Sequence, residues 1–247
     1  MIDVSQFQGS INWRSVTPSR VLIRVTVGSL GIDAFARANL AGAHDTGKVY
    51  GGYHFLEDSN PEVQIDHFLS VWRPSPGNIR GMIDVEPSAF SHPSLSITIG
   101  AYRRYKDRTG HYPILYGNSG VLAELHLPAD AAKCPLMVAD FGVDDGKEHP
   151  IGSIPSPWRE AAIHQFTDKG RVAGITANTV DLDHVLVPSA ILMPKPRPII
   201  DKWEVSYVTK KKGRVRAFSR FPYRFIDRRP RAKYRGAVHI YPHRKEA

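Results

Sequence analysis

Cysteine is almost absent from this chain: Cys134 is the only one in 247 residues. That excludes an internal disulfide framework, and no motif places a histidine and an acid beside Cys134, so it reads as a small core residue next to Pro135. Long apolar runs are missing as well. None approaches the roughly 20 residues needed to span a bilayer, so membrane insertion is not expected. The chain opens on a strand-like segment without a basic-then-apolar leader, and passage through the general secretory route is not expected either. His54 and His164 each lack a second histidine or an acid at a metal-binding interval. They read as hydrogen-bonded structural histidines, and neither a metal nor any other cofactor is implied.

What is present is enough apolar material, 42% of residues, for one large domain or one domain with an appendage. The charge is segregated. From Lys195 to Ala247 there are 17 Lys/Arg against Asp201, Glu204, Asp227 and Glu246, a net of +13, whereas the rest of the chain carries a net of −4. The overall +9 therefore belongs to the tail, and the two parts are expected to face different partners.

Short apolar strand candidates recur at residues 1–5, 21–27, 49–55, 80–85, 113–116, 135–140, 161–166 and 179–182. Helix-like stretches fall between several of them: Asp33 to Thr46, Pro61 to Trp72 capped by Asn60, and Ser94 to Thr109 stopped by Gly110. Strand and helix in alternation imply parallel strands with crossover helices. Later intervals lose the helix: Asp144 to Trp158 is rich in Gly, Pro and charge, and Asp168 to Asn178 reads as a loop or hairpin. The fold class is thus α/β, an irregular TIM-like (β/α) barrel whose last strands are joined by loops.

Barrel chemistry sits at the carboxyl ends of strands. There the sequence offers Asp3, His54, Asp84, Glu86, Tyr116, Asp140, Gln165 and Asp181. Asp84 and Glu86 are two apart and would project to one side of a strand, where two close carboxyls cannot both ionise freely. The spacing alone is weak: chance gives about two acid-x-acid pairs in such a chain, and it has two, Asp84/Glu86 and Asp181/Asp183.

Several motifs taken together are far more specific. The opening Ile2-Asp3-Val4-Ser5-Gln6-Phe7-Gln8-Gly9 with Ile11-Asn12-Trp13, then Gly51-Gly52-Tyr53-His54-Phe55, Ile83-Asp84-Val85-Glu86, Tyr116-Gly117, Ile163-His164-Gln165-Phe166-Thr167 and Val180-Asp181-Leu182-Asp183 occur in order over about residues 2–186. In this the chain resembles the glycoside hydrolase family 25 muramidases, which cut bacterial peptidoglycan between N-acetylmuramic acid and N-acetylglucosamine. It departs from the family at Val25 to Gly28, where a lysine-alanine-threonine-glutamate-glycine type segment is usual and Arg24 and Thr26 stand on the strand. It departs again at Met137, where tryptophan is common.

The resemblance implies Glu86 as the general acid, with Asp84, Asp3 and Asp181 converging to raise the proton affinity of the least solvated carboxyl and to stabilise oxocarbenium-like charge. It favours retention assisted by the substrate's own 2-acetamido oxygen, steadied by Asp181 or Asp84. Asp183 is the weaker choice of that pair. Tyr53, Tyr116, Phe141 and Gln165 are the expected substrate contacts, since sugars offer C–H faces to aromatics and hydroxyls to amides.

Pro188, Pro194, Pro196 and Pro198 mark residues 188–200 as a stiff linker after a barrel of residues 1–187. Within residues 201–247, Trp203 to Thr209 and Arg214 to Phe218 flank Lys211-Lys212-Gly213 as a hairpin, and Phe221 to Ile226 and Gly236 to Tyr241 suggest further strands of a small basic β-rich module. Phage enzymes of the resembled family often carry a wall-binding module there, so peptidoglycan and an anionic wall polymer are the expected partners. Nucleic acid is not, although its charge would match. The setting expected is a phage lysin held in the host cytoplasm before release to the wall. A virion-associated structural or wall-penetrating protein using the module for assembly is the alternative.

Overall fold

The eight apolar runs become the staves of a closed barrel in the computed structural model, which describes residues 1–89, 91–177 and 179–195 and, beyond them, the backbone of three strands. In chain order the first unit, Met1–Lys195, contains β1 (Ile2–Val4), β2 (Arg20–Val27), a short β3 (Gly31–Ile32) that hairpins onto β2, α1 (Ala36–Asp45), β4 (Val49–Phe55), α2 (Pro61–Val71), β5 (Met82–Asp84), α3 (Leu95–Thr109), β6 (Ile114–Asn118), α4 (Ser119–Glu124), β7 (Leu136–Ala139), β8 (Ile163–Gly170), β9 (Val180–Val185) and α5 (Pro188–Ile191). The sheet runs from β1 through β9, β8, β7, β6, β5 and β4 to β2, and β1 also pairs with β2, which closes it. Every neighbouring pair among β1, β2 and β4 to β8 is parallel. β9 alone is antiparallel to both of its neighbours.

Both faces of these strands are covered, which is why they read as nearly unbroken apolar runs. One set of side chains fills the interior: Leu22, Tyr53, Met82, Tyr116, Met137 and Ile163 belong to one cluster. Their sequence neighbours Ile83, Leu115, Leu136 and Val138 pack outward with Phe68 and Leu69 of α2 and Tyr102 and Tyr105 of α3. Phe68, Tyr102 and Tyr105 are fully buried there, and truncating such an aromatic costs about 3–5 kcal/mol. Tyr105 also accepts a hydrogen bond from the Gly81 amide at 2.9 Å. A Cβ at Gly81 would lie 2.6 Å from that hydroxyl, so only glycine lets α3 approach β5 so closely.

The helices follow their local signals. Asn60 accepts from the amides of Glu62 and Val63 with Pro61 in the first turn of α2, and Ser94 caps α3, which ends on Gly110 at φ 80°. α1 starts later than the sequence suggests, at Ala36 rather than Asp33. Asp33 is occupied otherwise: its carboxylate accepts from the amides of Gln6 and Phe35 and from Arg24 Nε.

The stretch read as linker from Pro188 begins inside this unit. Pro188–Ile191 is a short helix, Ile191 is fully buried, and Leu192 bridges to Ile79. The second unit, Pro196–Ala247, has β10 (Trp203–Thr209) between β11 (Gly213–Ser219) and β12 (Val238–Pro242), antiparallel to both. The pairing of β10 with β11 places Thr209 opposite Gly213. The strand expected over Phe221 to Ile226 lies outside the described residues. Among the described residues no helix is long and apolar enough to cross a membrane.

Candidate active site

Carboxyl groups gather at one mouth of the barrel: β1 and β9 are neighbours in the closed sheet, and β5, separated from β1 by β2 and β4, brings its acids from across the ring. Asp3 stands in the middle of β1, level with Leu22 of β2, Asp84 closes β5, and Glu86 follows two residues on. Asp181 reaches the same mouth by a route the sequence does not announce. It stands near the start of β9, not at its carboxyl end, and is brought opposite Asp3 because β9 runs antiparallel to β1. Asp183, two residues along β9, is buried on the same strand face.

A chain of hydrogen bonds crosses this cluster. Gln165 Nε2 donates to Asp3 Oδ2 at 2.8 Å, and the Tyr116 hydroxyl donates to Gln165 Oε1 at 2.7 Å. The same hydroxyl lies 3.1 Å from Glu86 Oε1. A phenol carries one proton, so Tyr116 can serve Gln165 or Glu86 as donor at any moment, and the shorter contact goes to Gln165. Asp84 Oδ1 and both Asp183 carboxyl oxygens are buried without a hydrogen-bond partner.

Burial beside like charge raises the proton affinity of these acids. Asp3 is pushed well above the usual carboxylate range by burial and then by the Asp183 charge, against the opposing Gln165 amide. Asp84 is raised by burial and then by Glu86 and Asp3. Asp181 is raised to about 9 by burial and the Asp3 charge, and Asp183 to about 7 by burial, opposed chiefly by the chain's amino terminus. Glu86 is raised by burial, and the Tyr116 hydroxyl pulls the other way by favouring its anion. The Tyr53 and Tyr116 hydroxyls are raised by burial and the acids around them and stay protonated. The site therefore holds acids that can donate at neutral pH beside others able to carry charge.

The sequence-derived contacts fare unevenly. Tyr53 and Tyr116 lie in the barrel interior, and Phe141 packs partly buried against that cluster. Gln165 is buried within the hydrogen-bonded chain. His54, named among the polar strand ends, does not join them. It faces outward between β4 and α2, bonded to Thr26 Oγ1 at 2.8 Å and Gln64 Oε1 at 3.2 Å, and burial lowers its pKa to about 4, so it is neutral. The carboxylate of Asp140 turns to its own loop, accepting from the amides of Gly142 and Gly152.

One buried cation, noted in the sequence only as a departure on its strand, faces this mouth. Arg24 is the register partner of Tyr53, and its charge lowers the proton affinity of both Asp84 and Tyr53. A charged residue inside the apolar run Val21 to Val27 was the available signal.

Residues 2–175 match glycosyl hydrolases family 25, and the chain belongs to that family. It is 31% identical over 195 residues to lysozyme M1 of Streptomyces globisporus, covering 72% of this chain and 64% of that protein. With the autolytic lysozyme of Clostridium acetobutylicum it shares 26% identity over 186 residues, covering 74% of this chain and 54% of the relative. It thus spans less than two thirds of the length of either. A bacterial lysozyme structure from Streptomyces coelicolor superposes with a TM-score of 0.66 at 28% identity, covering 75% of this chain and 90% of that one.

Proposed function

We propose that this chain is an N-acetylmuramidase that hydrolyses the β-1,4 bond between N-acetylmuramic acid and N-acetylglucosamine in bacterial peptidoglycan. The observation that carries this reading is the Tyr116 hydroxyl set between Glu86 and Gln165. Protonated Glu86 gives its proton to the glycosidic oxygen as the C1–O bond breaks. Tyr116 then turns its own proton from Gln165 to the new Glu86 carboxylate, so the donor's conjugate base is stabilised only after transfer. The acetamido oxygen attacks C1 while Asp181 or Asp84 steadies that group, and Asp3 and its neighbours carry compensating charge. Water then adds to C1 as the bond from C1 to the acetamido oxygen breaks and the acetamide is restored, and the proton that water gives up returns to Glu86. Tyr53, Tyr116, Phe141 and Gln165 contact the sugars.

The basic segment 201–247 we assign to an anionic wall polymer, on the strength of its net +13 from Lys195 onward. Together these readings suit an enzyme of phage-mediated host lysis, made in the host cytoplasm and acting at the wall. The test is mass analysis of fragments released from purified peptidoglycan. Reducing muramic ends are expected. Released peptides on intact glycan would overturn the reading.

A further inference from the structure

Arg24 is nine-tenths buried, yet most of its hydrogen-bonding capacity is unspent. Its Nε donates to Asp33 Oδ2 at 2.8 Å, and this is its only ion pair among the described residues. Asp33 is a rigid anchor, being itself 3% exposed and held by the amides of Gln6 and Phe35. The central carbon of the guanidinium lies over the ring of Phe7, 4.9 Å from the ring centre. A guanidinium carries five N–H donors in a planar fork. Asp33 takes one. The four N–H groups on the two terminal nitrogens have no protein acceptor among the described residues, and neither nitrogen is among the polar atoms sealed from solvent.

The position of this fork is fixed from three sides. Ser5 and Gln8 staple the turn that carries Phe7, the Ser5 amide donating to Gln8 Oε1 at 2.8 Å, only two residues past Asp3. Across the sheet Arg24 stands level with Tyr53. Phe7 is 73% exposed, an unusual placement for a ring that already covers a buried cation. A clamp meant only to hold Asp33 would need neither the free fork nor the exposed ring.

We propose that Arg24 and Phe7 form a subsite beside the acid cluster that receives a carboxylate of the glycan substrate, the guanidinium edge binding the anion in fork geometry and the Phe7 ring covering it. A carboxylate suits a planar fork bidentately. This rests on the muramidase reading, in which two carboxylate sources lie near the scissile bond: the free 3-O-lactyl group of a stem-free muramic residue, and the carboxylates of a stem peptide. A neutral N-acetylglucosamine oligomer has neither. Placed beside five carboxyl groups, a cation is also what lets an anionic substrate approach this mouth.

The test is calorimetric binding to the full chain bearing Glu86→Gln, with three tetrasaccharides: chitotetraose, the stem-free muramyl tetrasaccharide and the same glycan carrying a dipeptide stem. Tighter binding of a carboxylate-bearing glycan than of chitotetraose is expected, by about tenfold or more for one charge-assisted pair. Preference for the stem-free ligand assigns the lactyl group, and preference for the dipeptide ligand assigns the stem. Adding Arg24→Gln should collapse that preference toward unity. Adding Phe7→Ala, a change at an exposed residue that spares folding, should reduce it as well. Equal binding of all three glycans, or a preference that survives both substitutions, overturns the subsite while leaving the muramidase reading intact. Failure to bind any of the three glycans would instead count against that reading.

Discussion

Asp3 and Asp181 stand directly opposite one another on β1 and β9, although 178 positions of chain separate them. The two are coupled unequally: the Asp3 charge is the main cause after burial of the raised Asp181 pKa, whereas the Asp181 side chain, by hydrogen bonding, pulls that of Asp3 down. Groups that share a field do not contribute independently. Asp3→Asn and Asp181→Asn should each lower turnover of purified peptidoglycan, and the double variant should lose less than the product of the two single losses. Strict multiplicativity would assign them separate tasks.

The Tyr116 hydroxyl gives a prediction with a sign. Its bond to Glu86 favours the anion and so lowers the Glu86 pKa. Tyr116→Phe removes that help, leaving Glu86 a weaker acid. The kcat should fall about tenfold or more, and the alkaline limb of the pH–rate profile should move to higher pH, because activity requires the protonated carboxyl. A limb that stays fixed or moves down would rule out this pairing.

Asp183 is buried with both carboxyl oxygens unpartnered and a pKa raised to about 7. A folded-state pKa above the unfolded value means the native state binds more protons between roughly pH 4 and 7, so stability declines across that window as pH rises. Asp183→Asn removes this group's titration. Thermal unfolding should show a higher Tm than the parent at pH 8, with the gain shrinking toward pH 4. A Tm lowered equally at all pH values would indicate that Asp183 is needed for packing instead.

Much of this was legible beforehand, for physical reasons that also explain the gaps. All eight barrel strands were visible because strands covered on both faces must be apolar throughout, and Asn60, Pro61, Ser94 and Gly110 punctuated the helices. Strand direction was not visible: the run Thr179 to Leu182 looks the same whichever way it lies, so Asp181 was assigned to a strand end when it sits at a strand start. Facing was uncertain by one residue. Tyr53 points in and His54 out, while a bulge between Arg24 and Thr26 shifts the register on β2 and defeats simple alternation there. Arg24 was legible as a departure on its strand, but its pairing with Asp33 was not, because that pairing joins two segments across a hairpin, a relation no local motif encodes.

The segregated charge gives a prediction for the whole chain. Ending it after Lys195, at the close of the first unit, should weaken binding to intact cell walls far more than it slows cleavage of small soluble glycans. Binding by the full chain should fall steeply as salt rises to physiological levels, where surface charges are screened beyond about 8–10 Å. Equal binding and equal salt dependence with and without residues 196–247 would remove the targeting role.

The most direct test of the account is turnover of purified peptidoglycan by Glu86→Gln, followed by the appearance of reducing muramic ends, with thermal unfolding measured on the same sample. Glutamine keeps the shape but cannot donate the proton. The account predicts an unchanged fold and a loss of cleavage of about 10²-fold or more. Near-normal turnover by a folded Glu86→Gln protein would contradict it.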